Sequence, residues 1–145
     1  MSALGGRFDG VRALDLFSGS GALGLELLSR GAEHVTFVER APASLRSLRR
    51  NVEALGAGSR ATIVPRDVFR FLEDLHSREP LPALALADPP YDSGLAPQLL
   101  QAFSEVPFAE TLWVEHASRE PLPDLGPSTS RRYGDTTLTT LSRTS

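Results

Sequence analysis

The sequence predicts an α/β fold: a mostly parallel, seven-stranded sheet with helices on both faces and an antiparallel C-terminal hairpin strand. Two observations carry this prediction. From Val11 onward, short apolar runs alternate with stretches whose apolar residues recur every three or four positions, the pattern of a parallel sheet flanked by helices. Near the C-terminus, Ser130–Tyr133 and Thr136–Leu141 are joined by Gly134 and Asp135, which indicates an antiparallel hairpin.

The first strand and helix are separated by glycines. Strand one is predicted at Val11–Phe17 because this run is largely apolar, and the helix that follows, Gly21–Ser29, ends where Gly31 can cap it. Strand two is predicted at His34–Glu39, which is rich in β-branched and aromatic residues.

The second predicted helix, Pro42–Leu55, is amphipathic. Proline suits the first helical position, and Gly56 and Gly58 stop the helix. We expect its apolar stripe to face the core: Leu45, Leu48, Val52 and Leu55. Three arginines lie largely on the other side: Arg46, Arg49 and Arg50.

The same alternation continues to the hairpin. Strands are predicted at Ala61–Val64, Leu84–Ala87 and Thr111–Glu115, and helices at Val68–Leu75 and Leu95–Phe103. The proline-rich residues 121–127 form a surface loop. Residues 1–10 are glycine-rich and poor in apolar side chains, so they form a loose lead-in to a single domain over residues 11–145.

Composition favours one cytoplasmic domain. A chain of 145 residues, 41% of them hydrophobic, can bury one core, and with no cysteine and three scattered histidines it gives no sign of a metal site. We expect a cytoplasmic location because there is neither a leader pattern nor an apolar run of bilayer length. The net charge of −3 argues against broad nucleic-acid binding, but all 15 basic residues are arginines, whose clusters either contact RNA phosphates or are simply solvated.

A glycine-rich turn follows strand one. Gly19, Gly21 and Gly24 have the spacing G-x-G-x-x-G, and the next helix points its free N–H groups and positive dipole end at this loop. The spacing fits dinucleotide-binding dehydrogenases as well as S-adenosylmethionine (AdoMet) enzymes, and such glycines can also be purely structural.

Acidic residues stand at the ends of the next two strands. Glu39 lies 20 residues past Gly19, where a carboxylate can accept hydrogen bonds from both ribose hydroxyls of a nucleotide cofactor. An ordinary solvated glutamate is the alternative. Asp67 follows strand three and either meets an adenine amino group or caps the helix that begins at Val68.

The most specific motif is Asp88-Pro89-Pro90-Tyr91, directly after strand four. An exocyclic amine on a base is a poor nucleophile because its lone pair is delocalised into the ring, so an enzyme must hold the NH2 group with acceptors. The Asp88 carboxylate and a proline carbonyl supply two acceptors, the prolines fix the turn, and Tyr91 offers a flat face to an extruded base. The structural alternative is a Pro-Pro turn capped by Asp88, with Tyr91 as packing.

Three motifs occur in order: Asp-Leu-Phe-Ser-Gly-Ser-Gly-Ala-Leu-Gly-Leu-Glu at residues 15–26, Phe-Val-Glu at 37–39 and Asp-Pro-Pro-Tyr at 88–91. Together they resemble class I AdoMet-dependent methyltransferases that act on amino groups, which have a Rossmann-like fold. More narrowly, the chain is similar to the RsmD family, bacterial enzymes that methylate the guanine N2 amine of small-subunit ribosomal RNA. The hairpin at Arg131–Leu138 and the Ser-Arg-Gly-Ala sequence at Ser29–Ala32 also match this family.

The resemblance implies AdoMet as cofactor and, as substrate of a monomeric enzyme, small-subunit ribosomal RNA or the partly assembled small subunit. It places four residues around the methionine part of AdoMet: Asp15, Ser18, Gly19 and Gly21. It places Glu39 at the ribose and Asp67 with the Val68 backbone at the adenine, and Phe17 and Arg40 complete the expected cofactor site. The target guanine is expected at Asp88, Pro89, Pro90 and Tyr91.

One family feature is missing from the residues before strand one. Family members carry there a basic arm and a helix with an Arg-Pro-Thr and Arg-Glu pattern, which residues 1–10 do not supply. This absence leaves open a non-catalytic AdoMet- or RNA-binding remnant. Two other functions also stay open: methylation of a DNA base or a protein glutamine, and an NAD-dependent oxidoreductase built on the glycine loop and Glu39. Aspartate rather than asparagine at position 88 favours a base over glutamine.

Overall fold

The computed structural model describes residues 6–75 and 80–143. Within these ranges the strands are β1 (Arg12–Leu16), β2 (His34–Val38), β3 (Ala61–Val64), β4 (Leu84–Ala87), β5 (Thr111–Ala117), β6 (Thr129–Tyr133) and β7 (Thr136–Ser142). The helices are α1 (Ala22–Ser29), α2 (Pro42–Ala54), α3 (Val68–Leu75) and α4 (Leu95–Glu105), and a short 3-10 turn covers Gly58–Arg60.

The strands form one sheet in the order β3-β2-β1-β4-β5-β7-β6. β1 to β5 pair in parallel, whereas β7 runs antiparallel to both β5 and β6. The predicted seven-stranded, mostly parallel sheet with an antiparallel hairpin strand is therefore confirmed. The order also reverses between β1 and β4, the point at which open α/β sheets bind ligands.

Apolar side chains fill both faces of the sheet. On one face, α1 and α2 pack Leu27, Leu28 and Leu48 against Val35 and Phe37. On the other, residues of α3 and α4 pack against β1, β4 and β5. The sheet is thus buried on both sides over its parallel part, as expected for strands with continuous apolar runs.

The predicted apolar stripe of α2 is wrong at one position. Leu45, Leu48 and Val52 are buried, but Leu55 is 49% exposed. The helix ends at Ala54, and Leu55 is its C-cap. Leu55 still follows the helical spiral, with φ −79° and ψ −10° and its N–H donating to the Asn51 carbonyl over 3.1 Å, but at the end of the helix its side chain is left uncovered.

The lead-in is partly described. Residues 1–5 lie outside the described residues, and residues 6–10 form neither a helix nor a strand. The backbone N–H of Phe8 donates to the Arg30 carbonyl over 2.8 Å, and the Phe8 ring packs beside the layer formed by α1 and α2. Over residues 6–75 and 80–143, no helix has the length and apolar character needed to cross a bilayer.

Candidate active site

The carboxyl ends of β1 to β4 open onto a cavity of about 440 Å³. This volume falls within the range of roughly 300–1,000 Å³ typical of small-molecule sites. Each strand end contributes lining residues: Phe17 and Gly19 after β1, Glu39 and Arg40 after β2, Asp67 and Val68 after β3, and Asp88 and Pro90 after β4. The topology thus brings together residues that the sequence spreads over seventy positions.

The glycine loop after β1 leaves bare backbone at the cavity. Gly19 has φ 55°, and a Cβ there would meet nothing within 4 Å. Gly21 has φ 90°, and its added Cβ would lie 2.4 Å from Leu48 Cδ1. Gly19 therefore faces open space, whereas Gly21 allows α1 to pack closely on α2.

Phe17, directly before this loop, also has an unusual backbone. Its φ is 57°, in the left-handed region that aromatic residues rarely adopt. Its ring lies edge-on to Phe69, with centroids 6.2 Å apart. Phe17 and Phe69 both line the cavity, so this strained residue forms part of its apolar wall.

Glu39 holds the glycine loop against the start of α2. Its Oε1 accepts from the Gly19 backbone N–H over 2.8 Å. Its Oε2 accepts from the backbone N–H groups of Arg40 and Ala41 over 2.9 and 2.8 Å. The Glu39 carboxylate is therefore held in place by three backbone N–H groups at the cavity wall, and it is not simply a solvated side chain.

Asp67 has two roles in the structure. Its Oδ2 accepts from the backbone N–H groups of Phe69 and Arg70 over 3.1 and 3.2 Å, which is an N-cap for α3. Its Oδ1 lies 3.5 Å from Arg40 Nη1 at the cavity rim. The helix-capping interpretation is confirmed, and it is compatible with a place at the rim.

Asp15 lies below the cavity and does not line it. The residue is 1% exposed, and its Oδ2 accepts from the Gly24 backbone N–H over 2.9 Å. Burial raises the pKa of the Asp15 carboxyl to about 8, against the lowering effect of the Gly24 hydrogen bond and with smaller contributions from Asp88 and Glu39. Asp15 thus supports the first turn of α1 from within.

Asp88 and Pro90 line the cavity, whereas Pro89 is buried. Asp88 is exposed, yet desolvation by its surroundings raises the pKa of its carboxyl above the ordinary value. The Pro90 carbonyl is already engaged, because it accepts from Ser93 Oγ over 2.6 Å. The turn therefore presents a carboxylate of increased basicity at the cavity edge.

Tyr91 points toward the hairpin. Its hydroxyl hydrogen-bonds Thr136 Oγ1 at the start of β7. The neighbouring Asp92, which has φ 57°, pairs with Arg119 after β5. Two contacts thus fix the Asp-Pro-Pro-Tyr loop from the antiparallel end of the sheet.

Most residues predicted for the site line the cavity, and a few do not. Those outside its lining are Asp15, Ser18, Gly21, Pro89 and Tyr91. The sequence analysis missed several lining residues, among them Ser44, Arg66, Phe69 and Leu95. Ser44 and Arg66 lie within five residues of Glu39 and Asp67, so position beside a strand end was the available signal.

The fold and the position of this cavity define the class I methyltransferase architecture. The solved protein from Escherichia coli named "Putative methyltransferase yhhF" has the same fold, with a TM-score of 0.75 and 26% identity over 93% of this chain and 76% of that one. The chain belongs to the family described as Conserved hypothetical protein 95, whose model matches residues 2–142. The resemblance to the RsmD family is thereby confirmed.

Two curated relatives show how much of the chain is shared. "Putative rRNA methyltransferase YlbH" of Bacillus subtilis is 36% identical over 83% of this chain and 67% of its own length. "Ribosomal RNA small subunit methyltransferase D" of Haemophilus influenzae is 34% identical over 63% of this chain. The match spans only 48% of the Haemophilus protein, about half its length.

Proposed function

We propose that this chain binds AdoMet in the cavity and transfers its methyl group to the exocyclic N2 amine of a guanine in small-subunit ribosomal RNA. The observation that carries the proposal is a single cavity lined both by the glycine loop with Glu39 and by Asp88 with Pro90. One half suits a nucleoside cofactor and the other half suits an amine. The names of the two curated relatives support an rRNA substrate, and the Haemophilus name supports the small subunit.

The residues present fit AdoMet. Gly19 leaves open space at the cavity, so a ligand can approach the backbone without meeting a side chain. Glu39, Asp67 and the Val68 backbone would hold the ribose and adenine, and the wall formed by Phe17 would exclude water. When bound, AdoMet supplies an electrophilic methyl group on a positively charged sulfur.

Asp88 would orient the amine and receive its proton. A carboxylate that accepts a hydrogen bond from the NH2 group would point the nitrogen lone pair toward the methyl group of AdoMet. Orientation of this kind can supply a large share of a rate enhancement. Because desolvation raises the pKa of Asp88, the carboxylate is also a stronger base than an ordinary aspartate. Tyr91 would offer its ring to the base while its hydroxyl stays bonded to Thr136.

Finer features of the proposal come from the sequence and stay predictions. We expect a monomer in the cytoplasm that acts on naked RNA or on a partly assembled small subunit. The cavity of this chain and its family support the proposed cofactor and reaction.

The test is a tritiated-methyl assay against naked small-subunit RNA and partly assembled subunits, with the modified base identified by mass. We expect N2-methylguanine. Asp88→Ala should abolish turnover while AdoMet affinity, measured by calorimetry, is kept. Asp124→Ala removes an exposed carboxylate that does not line the cavity, so it should leave both unchanged.

Three outcomes would contradict parts of the proposal. Methyladenine as the only product would contradict the assignment of guanine as the target base but not that of AdoMet as the cofactor. AdoMet binding with no turnover on any RNA form would favour a non-catalytic remnant. A thermal shift with NAD and none with AdoMet would favour an oxidoreductase.

A further inference from the structure

At the antiparallel end of the sheet, one face lines a second cavity, and the described residues of its lining all lie in strands. Directly paired residues in neighbouring strands point to the same side, so the registers define three rows across β5, β7 and β6. The rows are Trp113-Thr140-Thr129, Glu115-Leu138-Arg131 and Ala117-Thr136-Tyr133. We call these nine residues the hairpin face.

The hairpin face contains a cavity of about 410 Å³. Its lining includes Trp113, Arg131, Tyr133 and Leu138, and over residues 6–75 and 80–143 the lining residues belong to β5, β6 and β7. On the other side, β5 and β7 are covered, because Leu112, Val114 and Leu141 belong to the main core. Among the described residues, Arg131 and Tyr133 of β6 are exposed on the side of the hairpin face.

The chemistry of the open side suits a nucleic acid. Tyr133 is 38% exposed, and the guanidinium carbon of Arg131 lies 5.4 Å from its ring centroid. Among the ion pairs of the described residues, none includes Arg131. The carboxylate on this face, Glu115, has a raised pKa because burial and the charge of Asp88 disfavour its ionised form.

This face is continuous with the candidate active site. Thr136, in the same row as Tyr133, hydrogen-bonds the Tyr91 hydroxyl. Glu115 is close enough to Asp88 for their charges to interact. An RNA strand whose target base reaches Asp88 would therefore pass over Tyr91 onto the hairpin face.

We propose that the hairpin face binds the single-stranded RNA segment next to the target nucleotide. Arg131 contacts a backbone phosphate, the Tyr133 ring stacks on a base, and Trp113 and Leu138 form the apolar floor of the groove. Planar guanidinium groups and exposed aromatic rings are the combination by which proteins bind unpaired RNA. The inference rests on the proposed function, since it describes the path of the RNA substrate from the candidate active site.

Strand β6 offers a matched control. Arg131 and Arg132 are adjacent and both exposed, but they point to opposite sides of the sheet. Arg132→Ala removes the same charge from the same strand on the side away from the hairpin face. The Arg132 Nε group donates to the Gly134 carbonyl over 2.7 Å, so thermal midpoints of both variants should be recorded alongside.

The experiment measures binding of a labelled single-stranded RNA oligomer by fluorescence anisotropy, with the full chain and AdoMet present. Loss of one phosphate contact should reduce the slope of log affinity against log salt by about one for Arg131→Ala. We expect its affinity to fall about tenfold at moderate salt, and that of Arg132→Ala to change less than about twofold. Tyr133→Ala should also weaken binding about tenfold, and Tyr133→Phe, which keeps the ring, should restore it.

Several results would overturn the inference. Equal losses for Arg131→Ala and Arg132→Ala would show general electrostatics instead of a defined face. A dimer in sedimentation that Tyr133→Ala dissociates, with RNA affinity unchanged, would show that a second copy of the chain covers the face. Methylation of RNA by Arg131→Ala with unchanged KM would refute this inference alone, whereas absence of RNA binding and methylation in the unaltered chain would refute the proposed function as well.

Discussion

The buried Asp15 makes stability depend on pH in a defined direction. Its carboxyl has a pKa of about 8 in the folded chain, whereas an aspartate in an unfolded chain has a pKa of roughly 4. The folded state therefore binds the proton more tightly. The stabilisation is fully present below about pH 4 and is lost as pH rises toward about 8.

The magnitude follows from the linkage between proton binding and folding. Each pH unit between the two pKa values costs about 1.4 kcal/mol, so the span from pH 5 to pH 8 costs about 4 kcal/mol. Small domains have total stabilities of roughly 5–15 kcal/mol, so this effect is large enough to measure. Asp15→Asn should remove it, because the amide does not titrate and its oxygen can still accept from the Gly24 N–H.

The assay is denaturant unfolding of the unaltered chain and of Asp15→Asn at pH 5, 6, 7 and 8. The difference between the two free energies isolates residue 15, since the other titrating groups are common to both proteins. We expect the advantage of the variant to grow by about 1.4 kcal/mol per pH unit and to level off above about pH 8. Asp124→Asn replaces an exposed aspartate and serves as the control substitution. A difference that stays constant from pH 5 to pH 8 would show that Asp15 is ionised in the folded chain and would refute the reasoning.

Three further substitutions test the loop and its supports. Gly24→Ala should destabilise the chain by about 1–3 kcal/mol in denaturant unfolding, because the added Cβ would lie 2.4 Å from Phe37 Cε1; a neutral result would mean that the ring moves freely. Glu39→Gln should weaken AdoMet binding about tenfold in calorimetry, since an amide provides one acceptor oxygen where three backbone N–H groups now share two; undiminished affinity would contradict this role. Thr136→Val should lower kcat about threefold to tenfold without changing AdoMet affinity, because it removes the hydrogen bond to Tyr91, and an unchanged kcat would show that this contact does not position the loop.

The regular elements were predictable because their local signals agree with their tertiary surroundings. The apolar period of α2, its proline at the first position and the β-branched run of β2 each occur where the structure has them. The prediction for Leu55 failed because the apolar period continues to the C-cap of α2, whereas burial stops before it. An apolar stripe does not show how far along a helix the core extends.

The site was predictable only in part. Parallel strands end at one edge of the sheet, so the acidic residues that the sequence shows after several strands lie around one cavity, as Glu39, Asp67 and Asp88 do. Spacing could not show that Asp15, one position before the end of β1, points into the interior. Nor could it show the bond between Tyr91 and Thr136, which joins residues 45 positions apart. Such contacts depend on side-chain direction and on loop paths, which short motifs do not encode.

The glycines of the G-x-G-x-x-G motif have different roles on the two sides of the loop. Gly19 faces the cavity, whereas an added Cβ at Gly24 would lie 2.8 Å from Asp15 Oδ2 and closer still to Phe37. The loop is held from one side by Glu39 on the Gly19 N–H and from the other by Asp15 on the Gly24 N–H. Because both contacts exist within the protein itself, a ligand meets a loop that is already ordered, and binding does not have to supply that ordering entropy. Both carboxyl groups hold the same loop, so substitutions at Asp15 and Glu39 should be compared in the stability assay and in the cofactor-affinity assay.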